Sequence, residues 1–305
     1  MVQAVRRAFV GEGSLSYRQG AAIVLFGGLM FSFTPLIFRG LEEATDWQFL
    51  VLRSGAMVAV LLLVVLLRRG KRPVRFDNVT WRTWLAAILM ASMSALFILA
   101  LARTTAALVT FLLAAAPFFG ALFGWIVMRE RVSGPSVGAI AMAVVGVAVM
   151  VGSGIEAGDA LGVLLAALIP LLLGLYNVLI RSAGEELDPL VPSVLAGIVL
   201  VAAATSVALT QTGISFTTRD LMLGLLAGAV VMGVGLPLFN LGHRYVPTAQ
   251  VSLLNLTEIV LAPLWVWLWL GETPRTGTLF GGAIVLAAVV YLVLASDRAL
   301  RLAAR

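Results

Sequence analysis

Ten apolar runs, each about 17–24 residues long and separated by short polar turns, fill almost the whole of this chain. They lie near 20–38, 48–67, 81–101, 106–128, 135–152, 160–180, 190–210, 220–242, 247–270 and 277–295. Each is long enough to cross a hydrocarbon core of ~30 Å as a helix. The runs are continuously apolar and do not alternate in the way of a membrane barrel, so the pattern predicts helices rather than strands. The third and fourth runs, and the eighth and ninth, are joined by very short turns, which predicts tight helix pairs.

The pattern repeats at an offset of 142 residues. That shift carries Arg39, Glu43 and Asp46 onto Arg181, Glu185 and Asp188, and Gly55 onto Gly197. It also carries Phe97 onto Phe239, Trp125 onto Trp267 and Glu130 onto Glu272. Apolar matches mean little in such a chain, but charged and Trp matches at one offset are hard to reach by chance. Each copy holds five runs, an odd number, so the second copy crosses the membrane in the opposite sense to the first. Inverted repeats are a hallmark of secondary transporters, whose similar halves open a shared site to alternate sides. The expected organisation is a leading segment at 1–19, a first copy at 20–152, a second at 160–295 and a tail at 296–305.

Composition agrees with this reading. The chain is 61% hydrophobic and 12% charged, with a mean hydropathy of +1.05, which is the composition of an integral membrane protein. Its net charge of +6 is a topology signal and gives no binding face for nucleic acid. Counted from the amino terminus, one side of the membrane receives sixteen of the 21 Lys and Arg residues. The other side receives only Arg39, Arg103, Arg219 and Arg275, and Arg53 lies inside a run. The positive-inside rule then puts both termini in the cytoplasm, as expected of a multi-pass protein of the cell's cytoplasmic membrane. With no Cys in the chain, disulfide and thiolate chemistry are excluded. The first run lacks a small-residue cleavage site and belongs to the repeat, so it reads as a retained helix.

The residues from Ala100 to Val151 and from Gly242 to Val293 share one order of features. A short turn leads into an Ala-rich helix with a Pro inside, then a terminal Glu, then a helix with spaced glycines. With SFTPLIFRG at Ser32–Gly40 and a basic residue, Arg53, inside the second helix, the chain resembles the EamA-type repeat of the drug/metabolite transporter superfamily over nearly its whole length. The resemblance implies an all-α fold of ten transmembrane helices, two inverted five-helix repeats around a central cavity, and transport of small organic solutes. One departure stands out: the inner Pro falls at Pro117 in one copy and at Pro263, four positions later in register, in the other.

Candidate chemistry is sparse. Glu258 lies about eleven residues into the ninth run, hence ~16 Å from its start and near the bilayer centre. A carboxylate there costs several kcal/mol unless it is paired, hydrated or protonated, so it should face the bundle interior. It can carry a proton or recognise a cationic group, or it can serve as a structural partner to a neighbouring Arg. Arg53 is the second candidate, as a holder of a carboxylate or counter-ion to Glu258, against snorkelling or pairing with Glu42, Glu43 or Asp46. Asn255 shares a helix face with Glu258. Tyr176 and Asn177 in the sixth run and Asn240 in the eighth add polar groups, each of which can equally bond across helices. Phe33 and Trp265 are candidate cavity aromatics for stacking on an organic or cationic solute, with core packing as the plainer role.

The remaining features read as structural. Pro35, Pro117, Pro170, Pro192, Pro237 and Pro263 lie within runs and can kink them. The pairs Gly120/Gly124, Gly134/Gly138, Gly224/Gly228 and Gly277/Gly281 permit close helix approach, and those opening the fifth and tenth runs, Gly134/Gly138 and Gly277/Gly281, are read as packing positions, a dimer face included. Glu130 and Glu272 sit at helix ends beside arginines and read as ion-pair partners. No phosphate-binding GxxxxGK[ST] loop is present, which excludes an ATPase of that kind. A single His and no Cys argue against a zinc centre, and no cofactor is expected.

The function expected is therefore secondary active export of small metabolites, amino acids or amine-bearing drugs, with protons as a coupling ion. An uncoupled facilitator of the same fold, or a lipid-handling protein or membrane enzyme, is the alternative. Partners are a small-molecule solute, protons and the bilayer, with monomer and homodimer both open.

Overall fold

In the computed structural model of the chain, the described residues are 15–67, 79–129, 134–152, 160–183, 190–211, 213–243, 245–246 and 248–303. Glu130, Glu185 and Asp188, named above, lie outside them, as do many of the Lys and Arg residues of the basic side.

The described residues are helical with no strand, as the apolar pattern predicts. Helix α1 consists of Tyr17–Ser32 and Thr34–Arg39, α2 of Asp46–Leu67 and α3 of Trp81–Leu101. Helix α4 consists of Ala106–Leu113 and Ala116–Met128, α5 of Gly134–Gly152, α6 of Ala160–Ala183 and α7 of Leu190–Gln211. Helix α8 runs as Thr218–Leu225, a π-helical stretch Leu226–Val234, and Gly235–His243. Helices α9, Thr248–Leu270, and α10, Thr276–Ala303, are the last two described. Among the described residues eight helices are long and apolar enough to cross a membrane, while α5 and α9 contribute the shorter apolar stretches Val137–Gly152 and Leu254–Leu270.

Proline explains two of the interruptions and not the others. Pro35 and Pro117 occupy the first turn of the second pieces of α1 and α4, where a missing N–H costs nothing. Tight i→i−3 bonds close the breaks, from Phe33 N to Met30 O at 3.2 Å and from Ala115 N to Leu112 O at 3.0 Å. Pro170 and Pro263 sit inside unbroken helices. The copies thus differ: Pro35 is matched by Asn177 at the repeat offset, and α6 runs straight through where α1 breaks.

Two compact units form, and each draws on both copies of the repeat. The first contains Met1–Ala95 and Ala183–Pro247, the second Leu96–Ser182 and Thr248–Arg305.

In the first unit, α2 is held between α7 and α8. Gly197 of α7 lies where any side chain would strike Val58 and Met57. Gly224, Gly228 and Gly233 of α8 face Leu52, Ala56 and Val60, one turn apart along α2. In an uninterrupted α-helix the nine residues from 224 to 233 turn through about 900°, which would aim Gly233 away from Gly224's face. The wider π turns bring Gly233 back, so α8 keeps Gly224, Gly228 and Gly233 on α2. Helix α1 packs on the last part of α8 and the residues just beyond it, through Gly20 against Tyr245 and Val246, Gly27 against Phe239, and an edge-on Phe31–Phe239 pair at 5.4 Å.

The second unit has its own close crossing, α5 on α10, where Gly146 and Gly281 meet backbone to backbone. Gly282 of α10 lies under Phe111 of α4, and Gly174 of α6 under Phe119. Here the repeat reappears in three dimensions. Gly162 of α6 packs on Arg103 and Thr104, the positions that the 142-residue offset pairs with Tyr245 and Val246, just as it pairs Gly162 with Gly20.

Candidate functional site

Both strong candidates are charged groups inside apolar helices, one in each unit. Arg53 stands on α2 in the first unit and is only 5% exposed. Its Nη1 donates to Ser94 Oγ of α3 at 2.7 Å, and its Nε is buried without an acceptor. Arg53 has no ion pair with Glu42, Glu43 or Asp46, the partners the sequence offered. The Arg53 backbone is pressed against Gly228 of α8, so the residue is anchored on a close helix contact.

The other two candidates of this unit take no part in that bond. Phe33 forms the break in α1 and is half-buried, and Asn240 is half-buried late in α8. No hydrogen bond joins Asn240 to Arg53 among the described residues. Thr34, beside the break, buries a hydroxyl that makes no hydrogen bond.

In the second unit Glu258 is half-buried in α9, and among the described residues of that unit it has neither hydrogen bond nor ion pair. Asn255, one turn earlier on the same helix, buries its Oδ1 with no donor. Among the described residues of the unit, a carboxylate and an amide oxygen therefore stand unpaired, one turn apart, in an apolar helix. Tyr176 is half-buried and Asn177 exposed on α6, and no hydrogen bond ties either to Glu258. Trp265 stacks edge-on with Trp269, its neighbour one turn on, at 5.3 Å. Among the described residues no cluster of three or more His, Cys, Asp or Glu exists that would hold a metal.

Three further residues matter that the apolar pattern did not single out. Ser94 is the partner of Arg53. Asp220, fully buried at the start of α8, accepts the backbone N–H groups of Glu42, Glu43 and Ala44 at 2.7, 3.1 and 2.9 Å. Gln48 adds a second clasp by donating to Gly213 O at 3.0 Å. Together they tie the α1–α2 loop to the α7–α8 connection. Thr217-Thr218-Arg219-Asp220 has the spacing of a helix start, and Thr217 does cap Asp220 N at 3.1 Å, but the loop that Asp220 grips is 176–178 residues distant in sequence. At the other end of the chain, Glu272 accepts the N–H of Ala106, at the start of α4, at 2.8 Å. This is a structural role, in which a carboxylate caps the positive end of a helix.

The family model for EamA-like transporters matches this chain twice, at residues 18–152 and 160–294. The chain belongs to the EamA-like transporter family. It is therefore a multi-pass membrane protein of the drug/metabolite transporter superfamily, and the two family matches coincide with the two copies found by the 142-residue offset. A solved structure described only as "Crystal structure of protein" shares the fold at a TM-score of 0.66 and 17% identity, covering 92% of this chain and 99% of its own. Among curated proteins, none matches this EamA-like sequence significantly.

Proposed function

We propose that this EamA-like protein is a secondary active exporter of small organic metabolites, amino acids or amine-bearing drugs, working by alternating access and coupled to protons through Glu258. The reading rests on one observation: among the described residues of its unit, Glu258 is a carboxylate in mid-helix without a hydrogen bond or ion pair, one turn from an equally unpaired Asn255 Oδ1. An ionisable group at membrane depth costs several kcal/mol when left alone, and such groups mark ion and substrate pathways. A carboxylate with no resident partner is free to exchange a proton for a cationic solute, whereas a structural Glu needs a fixed donor. Asn255 supports the same exchange as a neutral acceptor for an ammonium group. Tyr176, Asn177 and Trp265 on the second unit, and Arg53, Asn240 and Phe33 on the first, are proposed as further solute contacts. The protein is proposed to reside in the cytoplasmic membrane with both termini inside, following its Arg and Lys distribution.

The test is proton flux. Liposomes carrying the purified protein and an internal pH dye are challenged with amines, amino acids and sugars, for wild type and Glu258→Gln. Solute-evoked proton movement in wild type, absent in the variant, is expected. Solute movement with no proton flux, unchanged by the substitution, would make the protein a facilitator and Glu258 a structural residue.

A further inference from the structure

Helix α2 carries a buried cation whose hydrogen-bonding capacity is largely unspent. Arg53 has five N–H bonds. One is donated to Ser94 Oγ, and the N–H at Nε is buried with no acceptor. The carboxylates described in this unit are engaged elsewhere or exposed. Glu42 pairs with Arg219 at 3.2 Å, Asp46 accepts Trp47 N at 2.9 Å, Asp220 accepts three loop N–H groups, and Glu43 is exposed. None bonds Arg53. A guanidinium in a membrane-spanning helix costs several kcal/mol unless compensated, and one neutral hydroxyl does not supply that compensation.

The geometry of what is left over points to an anion. Ser94 accepts from Nη1 and makes no other bond among the described residues, so its own O–H proton remains to be donated. The unfilled guanidinium N–H groups and this O–H form a set of donors with no acceptor among them. A planar two-oxygen acceptor fits such a set, because a carboxylate takes two parallel N–H bonds from one guanidinium. The set is also held in place: the Arg53 backbone lies against Gly228, where no side chain intervenes, and Ser94 fixes one end of the fork.

We propose that Arg53 and Ser94 form a subsite for the carboxylate of the transported solute. This deepens the transporter reading and rests on it: the cargo is a carboxylate-bearing solute, an amino acid rather than a simple amine. Arg53 binds and orients the carboxylate, and Ser94 positions the guanidinium and adds a neutral donor.

The absence of Cys from the natural sequence makes the test site-specific. Ser94→Cys is nearly isosteric, leaves Arg53 in place, and gives the protein one thiol. In nanodiscs, its modification by the anionic sulfonatoethyl methanethiosulfonate is compared with that by the cationic trimethylammonioethyl reagent. The anionic reagent is expected to react faster by about tenfold, and Arg53→Met in the same background should abolish the preference. Addition of amino acids should slow the labelling, whereas the corresponding decarboxylated amines and equal concentrations of chloride or phosphate should not.

Three results would overturn the proposal. A thiol unreactive to both reagents makes Arg53–Ser94 a closed structural bond. Equal protection by chloride or phosphate makes it an inorganic-anion site. Equal protection by the amines removes the carboxylate from recognition. The labelling pattern does not depend on proton movement, so loss of coupling in Glu258→Gln and failure of this subsite are separately visible.

Discussion

Gly228→Ala is the most informative single change in the first unit, because what it meets is backbone. A Cβ at this position would fall closer to the Arg53 carbonyl oxygen than any ordinary contact, and 2.7 Å from Ala56 Cβ and 2.9 Å from the Arg53 carbonyl carbon. Ordinary contact begins near 3.4 Å, so α8 has to retreat from α2 by roughly 1 Å. No rotamer change relieves this, since the Arg53 carbonyl belongs to the hydrogen-bonded interior of α2. Overpacking of this kind costs about 1–3 kcal/mol. Replacing Gly by Ala in a helix returns at most about 1 kcal/mol, so the net expectation is about 1–2 kcal/mol of destabilisation. Gly55→Ala is the control: it is also in α2, but nothing lies within 4 Å of its added Cβ, so it gains propensity without a clash. Thermal unfolding in detergent, followed by loss of the monodisperse chromatographic peak, should show Gly228→Ala several degrees below wild type and Gly55→Ala at or above it. If Gly228→Ala melts with wild type, α8 does not lie on α2 as closely as described, and the anchoring of Arg53 fails with it.

Other substitutions test separate contacts by the same unfolding assay. Gly197→Ala, the repeat mate of the harmless Gly55, should destabilise by about 1 kcal/mol or more, because its Cβ runs into Val58 and Met57; equal behaviour of the two mates would contradict the packing. Asp220→Ala leaves three loop N–H groups without their acceptor and should cost about 2–3 kcal/mol, with faster proteolysis of the α1–α2 loop as an independent readout. Glu272→Gln weakens the cap on Ala106 N and should cost about 0.5–1 kcal/mol without altering solute specificity. A change in specificity would give Glu272 a role beyond the helix end.

The helices were legible in the sequence because each apolar run is long enough to span a membrane, and the two copies were legible because charged and Trp residues recur at one offset. Glu258 and Arg53 were legible for a simple reason: an ionisable residue within such a run has few inexpensive places to go. What escaped was tertiary. Ser94 is one of many hydroxyls, and only the reach of the Arg53 side chain from α2 to α3 makes it the partner of Arg53, 41 residues away. Asp220 looks like an ordinary member of a helix start until its loop arrives from the other end of its unit. The π stretch of α8 has no local signature either, since the spacing of Gly224, Gly228 and Gly233 makes sense only beside Leu52, Ala56 and Val60. Proline was a partial guide: Pro35 and Pro117 mark breaks, whereas Pro170 and Pro263 are absorbed within continuous helices.

The central claim is that Glu258 couples solute movement to protons. It is tested most directly by imposing a pH gradient across proteoliposomes and measuring whether solute accumulates against its own gradient. Accumulation by wild type that collapses when the pH gradient is dissipated, and is absent in Glu258→Gln, is the result predicted. Accumulation that persists in Glu258→Gln, or wild-type movement that never exceeds equilibrium, would contradict it.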